Sequence, residues 1–420
     1  MIKRRLFKTL QGHLEQKEIS LIVGPRQAGK TTLMLMLKEV LERRGAKTLF
    51  LSLDFERDQP FFKSQTDLIN KILLEIGREK GFVFIDEIQR KENAGLFLKG
   101  LFDLNLPYKL VVSGSGSIEL KEKIQESIVG RKRIFELGTI SFEEFADFKT
   151  DYRYGENLAD YFAIERNQRE QLLDEYLKFG GYPRVVIEPR LNEKIRIIDD
   201  IYRSYLERDV SYLLRVNKTE AFSALIRMLA SQIGRLVNYS ELSSTLGVAL
   251  QTVKKYLWYA EKTFVVEKVT PYFRNVRKEI TKSPVYYFND LGLRNYALGL
   301  FGNLIAGAET GFVFQNLVLN ILKEKLMFTP GELHFWRTKD KAEVDFVIIL
   351  GREVIPVEVK FRHLETIKIG RSFRNFIARY RPQRAYVINL TLERSTQLEE
   401  TMVHFIPFYR LILASFPFTP

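Results

Sequence analysis

Over its first third the chain repeats one pattern: a short apolar run, a polar break, then a stretch of helical periodicity. Ile19 to Val23, Lys47 to Leu53, Phe82 to Ile85, Leu110 to Val112 and Ile134 to Leu137 are the apolar runs. The unbroken ones, Phe82 to Ile85 above all, lack the alternation of a half-exposed strand and suit a strand covered on both faces, as in a parallel sheet. Thr31 to Arg44, closed by Gly45, and Thr66 to Lys80 supply helices between them. This alternation predicts an α/β sheet domain over residues 1–140.

The pattern then changes. Residues 141–225 are mostly helical in periodicity, broken at Gly180-Gly181 and Pro183. Within 226–290, Ser240 to Gly247 reads as a short helix ended by glycine, and Ala249 to Lys262 as an amphipathic one. Phe264 to Val269 and Val285 to Phe288 then alternate like two strands around a basic loop. Helix-turn-helix plus a two-stranded ribbon predicts a winged helix. Residues 291–420 open a second α/β unit: helix Thr310 to Lys325, strand Leu333 to Arg337, and a hairpin of Val344 to Leu350 with Glu353 to Phe361, turning at Gly351.

Composition narrows the chemistry. A chain of 420 residues exceeds what one core supports, and roughly two to four domains are expected. There is no cysteine, which removes disulfides, thiolate metal sites and cysteine nucleophiles. The four histidines, His13, His334, His363 and His404, do not cluster in sequence, so an imidazole metal site has little support. No apolar run reaches about 18 residues, and the basic start lacks the apolar segment of a signal peptide, so a cytoplasmic protein without membrane contact is expected. The net charge of +13 favours a polyanionic partner such as DNA, through the basic C-terminal half.

The sharpest chemical signal is Gly24-Pro25-Arg26-Gln27-Ala28-Gly29-Lys30-Thr31, followed by Thr32. Two glycines, four residues between them, then Lys and Thr, set between a strand and a helix, form the phosphate-binding loop pattern. Backbone N–H groups at a helix N-terminus surround phosphates, Lys30 would meet the β- and γ-phosphates, and Thr31 would ligate Mg²⁺. Asp86 and Glu87 follow the apolar run at the carboxyl end of its strand, where parallel sheets bind ligands. Asp86 is placed to hold Mg²⁺ and Glu87 to act on the attacking water. Ser113 to Ser117 puts hydroxyls at another strand tip, with Ser115 a candidate for sensing the γ-phosphate. Arg131 is a candidate arginine finger, in cis or in trans, or plain surface charge.

These segments resemble a large prokaryotic family of AAA-type ATPases that carry a C-terminal domain of unknown function. The resemblance rests on the loop itself, with Pro25-Arg26-Gln27 its most discriminating part. It rests also on Phe84 to Gln89, Leu137 to Phe145, Gly180-Gly181-Tyr182-Pro183 and Arg208-Asp209-Val210. It implies ATP with Mg²⁺ as ligands, residues 141–225 as a helical lid and linker, and leaves a homo-oligomer open.

In the winged helix, Gln251, Lys254 and Lys255 would face a DNA groove, and Arg274, Arg277 and Lys278 would meet phosphates. A winged helix that serves only for packing is the alternative. In the last unit, strand alternation puts Glu358 and Lys360 on one face, and a paired strand could bring Asp345 alongside. This spacing resembles the restriction-endonuclease-like fold, including archaeal Holliday-junction resolvases, whose two carboxylates and lysine hold Mg²⁺ against a phosphodiester. That resemblance also implies a glutamate on the preceding helix, where this chain has Gln315; Glu309 is a weaker substitute. Arg362, Lys368, Arg371, Arg374, Arg379, Arg381 and Arg384, against the single acid Glu365, predict an amphipathic helix with a basic face. The fold class expected is α/β: a P-loop AAA-type parallel sheet with helical lid, then a winged helix and a restriction-endonuclease-like domain.

Overall fold

The computed structural model describes residues 2–115, 128–206, 219–273, 283–304 and 307–413. After helix α1 (Leu6–His13) come β1 (Ile19–Gly24), α2 (Lys30–Arg43), β2 (Thr48–Ser52), α3 (Gln65–Glu75), β3 (Gly81–Asp86), α4 (Ala94–Asp103), β4 (Tyr108–Ser115) and β5 (Lys132–Glu136). The five strands form one sheet in the order β2-β3-β4-β1-β5, every pairing parallel.

The unbroken apolar runs have the expected cause. β1 and β3 are buried along their whole length. Alternate side chains go to opposite faces: Phe82 and Phe84 join Leu33, Met34 and Leu37 of α2, whereas Val83 and Ile85 join Leu68 and Ile72 of α3 and Leu98 of α4. Each such burial is worth about 1.5–3 kcal/mol, so both faces contribute to holding the strand ends in place.

Past β5 the chain runs through α5 (Phe142–Lys149), α6 (Leu158–Ile164), α7 (Arg166–Phe179), α8 (Pro183–Ile187), α9 (Leu191–Ser204) and α10 (Thr219–Ser231). α5 starts on a reciprocal cap: Ser141 Oγ accepts the Glu144 N–H, and the Glu144 carboxylate accepts the Ser141 N–H. Then follow α11 (Tyr239–Leu246), α12 (Leu250–Lys262), β6 (Val266–Pro271), β7 (Val285–Phe288), α13 (Leu291–Ala297) and α14 (Ala308–Leu326). The Asn238 side chain caps α11, and Gly247, at φ 62°, ends it. β8 (Glu332–Arg337), β9 (Glu343–Leu350), β10 (Glu353–Val359), α15 (Arg371–Tyr380), β11 (Arg384–Asn389), β12 (Arg394–Leu398), β13 (Thr401–Pro407) and α16 (Phe408–Leu413) complete it.

Two expectations change. Modules divided at residues 225 and 290 would each have a core of their own, yet one apolar cluster runs from Ile140 to Ile412 through the helices and one face of the second sheet. That sheet has eight strands in the order β12-β13-β11-β10-β9-β8-β6-β7, so the ribbon β6–β7 is its edge: Thr270 pairs with His334. The boundary near residue 140 coincides with a break between clusters, and a further cluster on the sheet's other face, from Trp336 to Phe405, lies wholly within residues 291–420. The basic helix expected from Arg362 to Arg384 is helical only over Arg371–Tyr380, because Arg384 already opens β11.

Candidate functional site

The phosphate-loop pattern lies where β1 turns into α2. Gly24 is glycine for a reason the pattern alone does not show: a Cβ there would lie 2.0 Å from the Leu137 carbonyl oxygen. The chain leaving β5 passes that close because the Leu137 N–H bonds to the Val23 carbonyl. Gln27 at φ 59° and Gly29 at φ 95° then take left-handed conformations that turn the loop into the helix N-terminus. Pro25 and Ala28 are buried, Arg26 and Gln27 half-buried, and Thr31 and Thr32 exposed in the first turn.

Lys30 is buried, and its Nζ donates to the carbonyls of Gly24 (3.1 Å) and Pro25 (2.8 Å). Thr31 Oγ1 donates to Asp86 Oδ2 at 2.8 Å. β1 and β3 are not neighbours; β4 lies between them, and its Ser113 hydroxyl donates to Asp86 Oδ1 and accepts the Glu87 N–H at 3.3 Å. Glu87 sits at φ 57°, a left-handed conformation that a glutamate rarely takes, and Gln89 Nε2 donates to its carboxylate. Burial pushes the Glu87 carboxyl above its ordinary range, the Lys30 charge opposes this, and the Asp86 charge reinforces it. A carboxyl so poised, beside a hydroxyl–carboxylate pair and a lysine, can orient or deprotonate a water.

Three residues at this site carry no signal in the loop pattern. Ser113 touches Asp86; Ser115 is in register with Gly24, its side chain lies outside what is described, and Gly116 and Ser117 lie outside the described residues. Arg184 Nη1 donates to Gln27 Oε1 at 3.3 Å, and Pro183, at the start of α8, lies 4.0 Å from where a Cβ on Gly29 would stand. Arg4 Nη1 donates to the Ala28 carbonyl at 2.8 Å. Gly180-Gly181, read as a helix break, is a crossing point. A Cβ on Gly181 would meet the Ile140 oxygen at 2.0 Å, and one on Gly180 the Gly292 nitrogen at 2.4 Å. The buried Asp290 accepts the Gly181 N–H at 2.8 Å and caps α13, so the segment over the loop is fastened to the C-terminal body.

Arg131 does not join the site within the chain. It precedes β5, and Ile19 at the start of β1 is in register with Lys132, so Arg131 lies at the opposite end of the sheet from the loop. Five residues of strand separate them, roughly 16 Å. Its guanidinium pairs instead with Asp103 at 2.7 Å.

The second carboxylate pair also assembles. The antiparallel register Val357 with Phe346 sets Asp345 opposite Glu358. Asp345 accepts the Val359 N–H at 2.7 Å and the Gln315 side-chain N–H at 3.1 Å, and Lys360 Nζ donates to Glu358 at 2.6 Å. Glu358 Oε2 is buried without a hydrogen-bond partner among the described residues. Burial, then the neighbouring Glu358 charge, pushes Asp345 up to about 8; burial also raises Glu358, against the pull of Lys360. Glu309 is engaged elsewhere, with Arg294 at 2.7 Å. Among the described residues no group of three His, Cys, Asp or Glu side chains is placed to hold a metal. Gln251, Lys254 and Lys255 are exposed on α12, as are Arg371, Arg374 and Arg379 on α15; Arg274, Arg277 and Lys278 lie outside the described residues. No described helix is long and apolar enough to cross a membrane.

Comparison with known proteins matches three stretches of the chain. Residues 16–146 match the model of an AAA domain, residues 170–304 a domain of unknown function (DUF8612), and residues 310–411 another (DUF4143). An uncharacterized protein of Haemophilus influenzae is 27% identical over 82% of this chain and 82% of its own length. One of Methanocaldococcus jannaschii is 25% identical over 84% of this chain and 76% of its own. The crystal structure of Cdc6p from Pyrobaculum aerophilum is similar at 11% identity over 72% of this chain and 94% of that one, with a TM-score of 0.29. With the loop and sheet geometry above, the first match makes the N-terminal part a P-loop domain of AAA type.

Proposed function

We propose that the chain is a Mg²⁺-dependent ATPase whose nucleotide state governs a nucleic-acid-binding C-terminal body. The observation that carries this is the 2.8 Å contact between Thr31 Oγ1 and Asp86 Oδ2, with Lys30 at the mouth of the loop. A hydroxyl and a carboxylate at that spacing are the oxygen donors that suit Mg²⁺, a hard cation that usually keeps waters and substrate phosphates as its remaining ligands. Bound there, Mg²⁺ would neutralise charge developing on the phosphates. The chain's own residues do the rest: loop N–H groups and Lys30 bind the triphosphate, Ser113 fixes Asp86, Glu87 orients the water, and Arg184 faces the loop from the lid side. Adenine rather than guanine rests on the family resemblance.

The nucleic-acid part is supported by the charge of +13 and by exposed cations on α12 and α15. The helices α10 to α12, a bridge from Leu236 to Val285 and the ribbon β6–β7 follow one another in winged-helix order. The succession α14, β8, β9, β10, α15, β11, with β10 parallel to β11, supports a restriction-endonuclease-like unit. Gln315 bonded to Asp345 favours holding a phosphate backbone over cutting it, because a neutral amide stands where a third carboxylate would add metal-binding charge.

The test is ATP turnover with and without DNA of several shapes. Glu87→Gln should bind ATP and hydrolyse it about 10²–10⁴-fold more slowly; unchanged turnover removes Glu87 from its role. DNA affinity should fall steeply with salt, and a slope near zero in log affinity against log salt would favour a protein partner instead.

A further inference from the structure

Beneath the phosphate loop, between the first sheet and the C-terminal body, lies a cleft of about 520 Å³. Pro25, Leu137, Tyr182, Phe264 and Phe328 are among its walls, and α14 forms its floor through Lys323 and Glu324. Its volume is in the range of small-molecule sites, about 300–1,000 Å³, and its aromatic side chains suit an apolar body.

The charges facing it are unequally matched. Arg4 is held by Glu144 at 3.0 Å, Arg5 by Glu143, and Lys323 by Glu267 at 2.5 Å. The Tyr176 hydroxyl donates to the Ile140 carbonyl. Two charges differ from these: Lys268, exposed on β6, and Glu324 on α14 have no hydrogen-bond or ion-pair partner among the described residues, and of the two only Glu324 is half-buried. Glu324 is half-buried, so its carboxylate stays within reach of a ligand entering the cleft, and a cation brought beside it gains a charge-assisted contact.

We propose that this cleft binds a small organic cation, a protonated amine on an apolar body, with Glu324 as its counter-ion. The aromatic walls contribute apolar contact and ring faces to the cationic end. Burial and the charge of Glu144 on α5 push Glu324 up to about 7, against Arg4 and Arg5 of the N-terminal arm and Lys325 of α14. Glu324 is therefore about half protonated near neutral pH, and a bound cation expels that proton. This inference does not depend on ATP hydrolysis, and its test does not use it.

The probes are tryptamine, 2-phenylethylamine and benzamidine, with tryptophol as the neutral counterpart of tryptamine. Each is titrated calorimetrically into the full chain near pH 7, in two buffers of different ionisation heat. At least one amine should bind with release of about half a proton, and tryptophol about tenfold or more weaker than tryptamine. Glu324→Gln, which keeps the volume and removes the charge, should abolish both the proton release and the preference for the amine. Silence from all three amines overturns the proposal. So does equal affinity for tryptophol, or an unchanged amine preference in Glu324→Gln. The tryptophol comparison needs no variant, so it stands even if the substitution disturbs folding.

Discussion

Two carboxylate pairs stand at sheet strands in this molecule, Asp86-Glu87 in the first sheet and Asp345 with Glu358 in the second, and their surroundings set them apart. Asp86 receives hydroxyl hydrogens from Thr31 and Ser113, and Lys30 opposes the rise of Glu87. The second pair faces itself across one strand register, with an amide from Gln315 on one member and a lysine on the other. The first arrangement gathers a lysine and two hydroxyls from the loop and a neighbouring strand around its acids, with Lys30 resting on the loop carbonyls of Gly24 and Pro25. The second spends its donors internally and raises both acids. Residue type alone does not decide whether a pair of acids works on a substrate; the neighbours that share its protons do.

The largest effect expected is at Lys30. Lys30→Ala removes the charge proposed to meet the β- and γ-phosphates, and calorimetric ATP binding should vanish; retained affinity would break the contrast at its stronger end. Glu87→Gln comes next, losing turnover with binding intact. Arg184→Ala should then slow ATP hydrolysis about 10–100-fold with little loss of ATP affinity, since one charge-assisted contact is worth about 1.5–3 kcal/mol. Equal turnover would reduce Arg184 to a tether on Gln27.

The smallest effect concerns the second pair and runs opposite to intuition. The Asp345 pKa is raised on folding, so its favourable contribution is complete below pH about 4 and is lost as pH rises towards about 8. Asp345→Asn should therefore flatten that loss and stabilise the chain by about 1–3 kcal/mol near pH 8, read from urea unfolding at two pH values. A destabilised variant would contradict the shift. Stabilisation of the natural chain by Mn²⁺, absent in the variant, would make the second pair a metal holder and erase the contrast.

Much of the nucleotide site is legible in the chain because its parts are contiguous. The loop from Gly24 to Thr31 turns a strand into a helix, and Phe82 to Glu87 delivers its acids at a strand end, so local spacing suffices. The hairpin around Gly351 likewise brings Asp345 opposite Glu358, as strand alternation leads one to expect. Arg4 and Arg184 are not legible in this way, because each comes from a segment remote in sequence and a lone arginine has no local pattern to mark it. Ser113 belongs to the hydroxyl-rich strand tip that the sequence marks, but its partner Asp86 is set by the pairing of β3 with β4. The strand β11 has an apolar run in Ala385 to Ile388, but the arginines preceding it suggest a longer helix than forms.

The sequence by itself determined the phosphate-loop pattern, the acid pair at the end of β3 and the alternation that builds a buried parallel sheet, since all follow from backbone periodicity and short-range spacing. Only the tertiary structure decided that Arg131 lies at the opposite end of that sheet from the loop, that one apolar cluster runs from Ile140 to Ile412, and that Glu324 lines a cleft. Those facts depend on strand order and on which distant segments exclude water together, and neither is written in any local stretch of chain.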